Sequence, residues 1–296
     1  TVINADNLNE KENNYIGSLI NFEHAYVLCY SDISTGEISA VILENNISKV
    51  VSEIVSIGIK EIVTTSKTDT VITSLLKSQF KITINIVDKI EDNTSYSYIY
   101  NDIKDVRYIE TIKLLLTYIT DTQKRNLSHM QKVVIKNLNE NLKMDIHTKR
   151  NLELTETLRL KQRNYSLIWL LDKTKTAMGS RLLKSYIENP ILDRDTLNKR
   201  YDMVEVLLKE FILKSDLQEL LFEVYDLERL SGRVAFGNAN ARDLLQLKNS
   251  LKTLPAIKDI LEQLHFDKNI STLPELYNLL EQSIYENPPI TLKEGY

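Results

Sequence analysis

The chain is short of the residues that several protein classes need. It holds a single cysteine, Cys29, so no internal disulfide can form and no cysteine-based zinc site can be built. That usage fits a reducing, cytoplasmic setting. Glycine is scarce, 7 in 296 residues. An all-β protein needs glycine in its turns, whereas helices joined by short polar turns do not. No apolar run approaches the roughly 20 residues that span a bilayer, so no membrane partner is expected. The first 20 residues are polar and carry no signal-peptide core. G-x-x-x-x-G-K-[ST] and G-x-G-x-x-G are both missing, which excludes these two nucleotide-binding loops. Charge of either sign is moderate, with a net of −4. A nucleic-acid-binding domain of pI above about 9 is therefore excluded for the chain as a whole. The chain starts on Thr and ends on ITLKEGY, so it reads as an excised piece of a longer protein.

What is present divides into two parts, 1–104 and 105–296. The first is β-branched and alternating. Asn14–Glu23, His24–Ser31 and Gly36–Glu44 read as strands, with a turn at DISTG (Asp32–Gly36). Ile47–Ile59 has helical apolar spacing. A strand (Lys60–Ser66), a helix (Thr68–Phe80) and a strand (Lys81–Ile90) follow. The order β-β-β-α-β-α-β predicts a mixed sheet with helices packed on it. The second part reads as mostly helical, beginning at Ile109–Ile119 and irregular over Asn126–Met144. Beyond Asp145 the pattern is helical, with breaks near Pro190, Phe236–Asn240, Pro255 and Pro274. Asn240 with Asp243 three residues on is a capping pair. The fold class is thus multidomain, α/β followed by all-α.

Charge divides at the same place. Residues 1–104 hold 8 Lys and no Arg against 14 acids, and 105–296 carry a net of +2. Within the second part, His147–Lys184 has 9 basic and 3 acidic residues. Arg159, Lys161 and Arg163, followed by Lys173, Lys175, Arg181 and Lys184, could meet DNA phosphate. With little aromatic interleaving, a solvated helical face is the stronger reading.

Candidate chemistry is sparse. A mixed sheet with Asp32 at a strand end is similar to ribonuclease H-like nucleases, which need converging carboxylates on a metal pair. Asp88 and Glu91 lie at another strand end, and nothing in the sequence brings them to Asp32. The turn chemistry of Asp and Gly favours a hairpin role for Asp32. The four histidines, 24, 129, 147 and 265, lie outside any G-x-S-x-G or HExxH context. His147, between Asp145 and Arg150, is the best placed, and a polar surface role is expected for it. Cys29 reads as a small core residue.

The run Leu171–Pro190, LDKTKTAMGSRLLKSYIENP, poses a sharper question. A basic, hydroxyl-rich turn feeding a helix N-terminus can hold phosphate. It can equally be only a helix start. Leu167–Leu192 resembles the core region of the MutS mismatch-repair proteins. So, in order, do Thr120–Met130, Met144–Arg159, Asp226–Leu251 and Glu286–Tyr296. NNYIGSLI and AYVLCYSDISTGEIS resemble the connector domain of bacterial members, whose fold is ribonuclease H-like. The resemblance implies a parent with mismatch-binding, connector, core, clamp and ATPase domains. Residues 1–104 would be the connector, and 105–296 the core up to the clamp. The mismatch reader Phe-x-Glu would precede the chain; Asn21-Phe22-Glu23 lacks the intervening residue.

The resemblance further implies a parent that binds mismatched double-stranded DNA and the partner ATPase MutL, uses ATP and Mg, and forms a homodimer. The piece itself would carry no cofactor, would not be an enzyme, and would be monomeric. Its expected role is transmission between mismatch-binding, clamp and ATPase domains. Candidate structural or transmitting residues are Arg150, Asn151, Asp172, Thr176, Met178, Gly179, Arg181, Arg242 and Asp243. In this reading Thr176 caps a helix, and Met178, Leu182, Leu183 and Tyr186 face the interior. Gly179 allows close helix approach, and Arg181 ties to a carboxylate. Arg159, Lys161 and Arg163 are the weaker DNA-phosphate candidates. The alternatives are an autonomous DNA-binding module using 147–184, or a ribonuclease H-like nuclease.

Overall fold

A computed structural model describes residues 13–123, 127–266 and 270–288. The matched runs Thr120–Met130 and Glu286–Tyr296 lie partly outside these residues. The chain forms two compact units, Thr1–Leu167 and Ile168–Tyr296.

The first unit is built on six strands: β1 (Tyr15–Asn21), β2 (Ala25–Asp32), β3 (Glu37–Glu44), β4 (Glu61–Thr64), β5 (Thr83–Ile86) and β6 (Val134–Ile135). Their order in the sheet is β5-β4-β1-β2-β3-β6. β2 runs antiparallel to β1 and β3, while β1–β4, β4–β5 and β3–β6 are parallel pairs. The tight turn Asp32–Gly36 joins two antiparallel neighbours. The parallel pairs are reached by helical crossovers, as parallel strands require. The sheet is therefore mixed, as the order of elements predicted.

Strand alternation gives the sheet two apolar faces. Leu19, Tyr26, Leu28, Tyr30, Val41, Leu43 and Ile62 line one, packed with Val50, Val51 and Ile54 of α1 (Ile47–Ile57) and Ile72 and Leu76 of α2 (Thr70–Phe80). α1 starts where the Asn46 side chain accepts from Lys49 N–H, and stops at Gly58, φ 82°. The other face meets α3 (Val106–Gln123), whose Ile112, Leu115 and Ile119 are fully buried. Ser18 donates to the Thr111 carbonyl at 2.7 Å and pins α3 on β1. Burying each such Leu or Ile contributes roughly 1.5–3 kcal/mol, so neither layer is dispensable.

α3 therefore packs within the sheet unit, and the two compact units meet at Leu167/Ile168, whereas the sequence pattern changes at 104/105. The reason is that an amphipathic stripe carries no mark of whether a sheet or a helix will cover it. β6 extends the same unit, and α4 (Ile146–Asn151) docks on α1, where Lys149 donates to the Ser56 hydroxyl at 2.6 Å. The helical pattern read beyond Asp145 is also interrupted: residues 153–166 form turns and coil, with left-handed backbone at Glu153, Lys161 and Tyr165. A one-turn helix, α5 (Leu167–Leu171), follows.

The second unit is helical: α6 (Ala177–Glu188), α7 (Arg194–Lys209), α8 (Phe211–Phe222), α9 (Leu227–Ala235), α10 (Ala241–Gln263) and α11 (Pro274–Ser283). α10 is the hub, packing on α8, α9 and α11. Leu230, Leu251, Ile257, Ile260 and Leu280 are among the buried apolar residues of this unit. The break expected at Pro255 does not occur: Pro255 lies inside α10, on its exposed side. Proline removes one helical hydrogen bond, and here the flanking packing of Leu251, Thr253 and Ile257 carries the helix through. Pro274 behaves as a helix starter, at the first position of α11.

Candidate functional site

The Leu171–Pro190 stretch is organised by its own polar side chains. Asp172 accepts from Thr174 N–H at 3.1 Å and from the Thr174 hydroxyl at 2.6 Å. Its second oxygen accepts from the Ser180 hydroxyl at 2.6 Å. Thr176 is the N-cap of α6, accepting from Gly179 N–H at 2.9 Å. The amides of Thr174 and Gly179 are thus occupied from within. Asp172 adds a negative charge beside them. The turn is organised as a helix start.

Gly179 has a different role from the one expected. A Cβ there would lie 3.0 Å from Thr176 Oγ1 and 3.3 Å from Thr174 Cβ. The glycine makes room for the capping turn, not for a neighbouring helix. Met178, Leu182, Leu183 and Tyr186 do not form an interior face: Leu182 and Tyr186 are exposed, and Met178 and Leu183 are half-buried. The buried residues of α6 are Ser180 and Arg181.

Arg181 meets the carboxylate expected for it. Its two terminal nitrogens donate to Asp226 at 2.6 and 2.9 Å, and one donates also to Glu228 at 2.5 Å. Burial opposes the guanidinium charge, and the two carboxylates more than offset it, holding its pKa above the ordinary range. Asp226 is also the N-cap of α9, accepting from Arg229 N–H. A second pair lies on the other side of α9: Arg233 donates to buried Asp243 at 2.5 Å. Asp243 and Asn240 form a reciprocal capping box at the start of α10. Arg181 of α6 and Asp243 of α10 thus both bind α9, a convergence that spacing along the chain does not show. The carboxylate partners Asp226 and Glu228 were missed; their place at a helix N-terminus was the available signal.

The remaining candidates are not gathered. Arg150, Asn151 and Arg242 are exposed. Arg159 and Lys161 are exposed and Arg163 is half-buried. They sit on a turn closed by Thr157 N–H to the Gln162 carbonyl at 2.9 Å, not on a helical face. Arg181 is committed to its carboxylates and unavailable to a phosphate.

The topology does not gather the carboxylates that the nuclease reading needs. Asp32 ends β2, which runs opposite to β1, β4 and β5. Asp88 follows the end of β5 and accepts from Ser66 N–H past the end of β4, so it lies at the opposite end of the strands from Asp32. Asp32 is fully committed to its turn, accepting from Asn14 N–H at 3.0 Å, Ser34 N–H at 2.9 Å and the Ser34 hydroxyl at 2.6 Å. Glu91 pairs with Lys89. Among the described residues no group of three or more His, Cys, Asp or Glu is placed to hold a metal ion. Cys29 is buried, which pushes its thiol far above the usual range. His147 is exposed, as expected for a surface residue. Among the described residues no helix is long and apolar enough to cross a membrane.

Two family models match, MutS domain II over residues 14–131 and MutS domain III over 147–296. The chain belongs to the MutS family. The first match covers β1 to β5 and α1 to α3, the second covers the helical unit, and neither describes an ATPase domain. The whole chain aligns, at 45% identity, with the DNA mismatch repair protein MutS of Bacillus pumilus, covering 35% of that protein. It is 44% identical to the protein of the same name from Bacillus subtilis, again over 100% of the chain and 35% of the relative. With that of Bacillus velezensis the identity is 46% over the same shares. The chain spans about a third of the length of these MutS relatives. The helix start at Thr176, the Arg181 pair and the Asn240 capping box all lie within the domain III match.

Proposed function

We propose that the chain is the connector and the first part of the core of a mismatch-repair MutS protein, and that it works as a transmitter of conformational change. The connector, expected at 1–104, extends in this reading through α3 and β6, and the core follows. The strand order β5-β4-β1-β2-β3, with β2 alone reversed, supports a ribonuclease H-like scaffold for the connector. The full-length alignment with proteins named for DNA mismatch repair is the observation that carries the reading. The polar anchors of α6, α9 and α10 support it physically. A transmitting element needs discrete arrangements of packed parts, and a directional ion pair adds a discrete contact to that packing.

In the parent, mismatched double-stranded DNA is the ligand, ATP with Mg drives the cycle in a domain outside this chain, and MutL and a second copy are the partners. The setting is cytoplasmic. Arg150, Asn151, Asp172, Thr176, Met178, Gly179, Arg181, Arg242 and Asp243 are the proposed transmitting residues. Asp172, Thr176, Gly179, Arg181 and Asp243 have the strongest support, because each fixes the start or the docking of a helix.

Fluorescence anisotropy of the chain with a G·T-mismatched duplex and its perfect match, across a salt series, tests the proposal. No binding, or weak binding equal for both duplexes, supports a transmitter that depends on neighbouring domains. Tighter binding to the mismatch overturns the assignment. A steep salt slope, reduced by charge reversal at Arg159, Lys161 and Arg163, would favour a DNA-binding module.

A further inference from the structure

The buried anchors of α6 are polar. Its buried residues are a serine and an arginine, while Leu182 and Tyr186 on its apolar stripe are exposed. The Arg181 side chain is only 5% exposed, and its fork spans Asp226 and Glu228 across to the first turn of α9. A second buried arginine, Arg229, lies 3.9 Å from the Asp226 carboxylate. Two cations and two anions therefore balance in one place. The cluster has a dry side and a wet side: Asp226 is 14% exposed and Glu228 45%. At the other end of the same turn, Ser180 donates to Asp172, in the segment that leads into α6.

We propose that Arg181 is a releasable latch, by which α6 docks on the N-terminus of α9 and from which it detaches as a unit while α8–α11 stay folded. A bidentate ion pair in a low-dielectric site is either made or lost, because a partly separated pair leaves charge buried without compensation. Glu228 provides the opening route, since solvent and competing cations reach it without first entering the core. α9 and α10 are also joined apart from the latch, by Arg233 and Asp243, and Leu230 of α9 and Leu251 of α10 are buried. The latch is a property of this chain's geometry. It relies on the transmission reading only for the use to which release would be put.

Hydrogen exchange read by mass spectrometry on the 296-residue chain tests it. Arg181→Met should speed exchange across Ala177–Glu188 by about tenfold or more, while Ala241–Gln263 keeps its wild-type rates. Arg181→Lys keeps the charge but loses the fork, and should fall between. Glu228→Gln should accelerate the same segment by a smaller factor. Acceleration of both segments together would overturn the latch, since Arg181 would then be one more contributor to global stability. Unchanged exchange over Ala177–Glu188 would also overturn it. Should Arg181→Met fail to fold, Glu228→Gln decides by the same criterion. No DNA or partner is present, so the outcome is independent of the anisotropy result.

Discussion

Tyr118 of α3 donates its hydroxyl to the carboxylate of Glu61 on β4 at 2.5 Å, and both residues are buried. Asn85 of β5 donates to the same carboxylate at 2.8 Å. A carboxylate inside the sheet unit thus gathers donors from a helix and an edge strand. It joins α3 to the sheet at the end opposite the Ser18 hydrogen bond. Burial and the neighbouring carboxylate both push the Tyr118 hydroxyl far above its usual range, so it stays a donor at any working pH. Tyr118→Phe removes that donor and little else. It should destabilise the sheet unit by roughly 1–3 kcal/mol, the cost of a buried acceptor left short of a partner. Urea unfolding followed by circular dichroism would measure it. An unchanged midpoint would mean that Asn85 and the remaining surroundings satisfy Glu61 alone.

Gly36 and Gly58 separate two causes of glycine dependence. Both have left-handed backbone, φ 76° and 82°. A Cβ at Gly58 meets nothing within 4 Å, whereas one at Gly36 would lie 2.3 Å from the His129 carbonyl oxygen. Gly58→Ala should therefore cost only the backbone term, about 1–2 kcal/mol. Gly36→Ala must also displace the segment that carries His129, where Gln131 N–H donates to the Gly36 carbonyl. Its loss of stability should exceed that of Gly58→Ala clearly. Equal losses in paired thermal melts would show that the His129 segment yields freely.

Much of this scaffold was legible before any coordinates. β1 to β5, α1 and α2 fall within a few residues of their expected positions, because each has a clean period and a turn or cap at its ends. Thr176 and the Asn240–Asp243 pair were legible for the same reason, since capping chemistry is local. What failed was non-local. The stripe on α3 shows that something covers it but not that the cover is the sheet. The stripe on α6 looks like a core face, yet Leu182 and Tyr186 are exposed and Arg181 is buried. Periodicity counts apolar residues and cannot see that a charged one has its partners 45 and 47 positions away. Pro255 misled because a single helix breaker is overridden when the residues around it are packed. β6 has two residues, too few for any period to register.

His129 should make the sheet unit acid-sensitive. Its ring Nε2 donates to the Ile33 carbonyl at 2.7 Å, which fixes the tautomer, since a carbonyl oxygen can only accept. Burial lowers its pKa; the Ile33 hydrogen bond and the charge of Asp32 oppose that without overcoming it. The folded state therefore takes up its proton later than the unfolded chain does. As pH falls through the unfolded value of about 6.5, the unfolded state binds the proton first and stability drops until the folded pKa is reached. Unfolding midpoints between pH 8 and about 5 should fall more steeply for the wild type than for His129→Asn. Parallel curves would assign the acid sensitivity to other groups.

The Asn240 box offers the cleanest test of whether the helical unit is organised by its helix starts. Asn240 accepts from Asp243 N–H at 2.8 Å and Asp243 returns the bond, accepting from Asn240 N–H at 3.0 Å. Asn240→Ala removes one arm and leaves the Arg233–Asp243 pair intact. The expected loss is about 1 kcal/mol, the usual worth of an N-cap. Asp243→Ala removes the other arm and also strands Arg233, whose side chain is 45% exposed and can turn to water. Because that arginine can rehydrate, its loss adds little, and Asp243→Ala should exceed Asn240→Ala only modestly. Asn240→Ala combined with Asp243→Ala should then cost less than the sum of the two, because each arm loses part of its value once the other is gone. Strict additivity in a double-mutant cycle would mean that the two hydrogen bonds act separately and that α10 is held by its packing on α8, α9 and α11 alone.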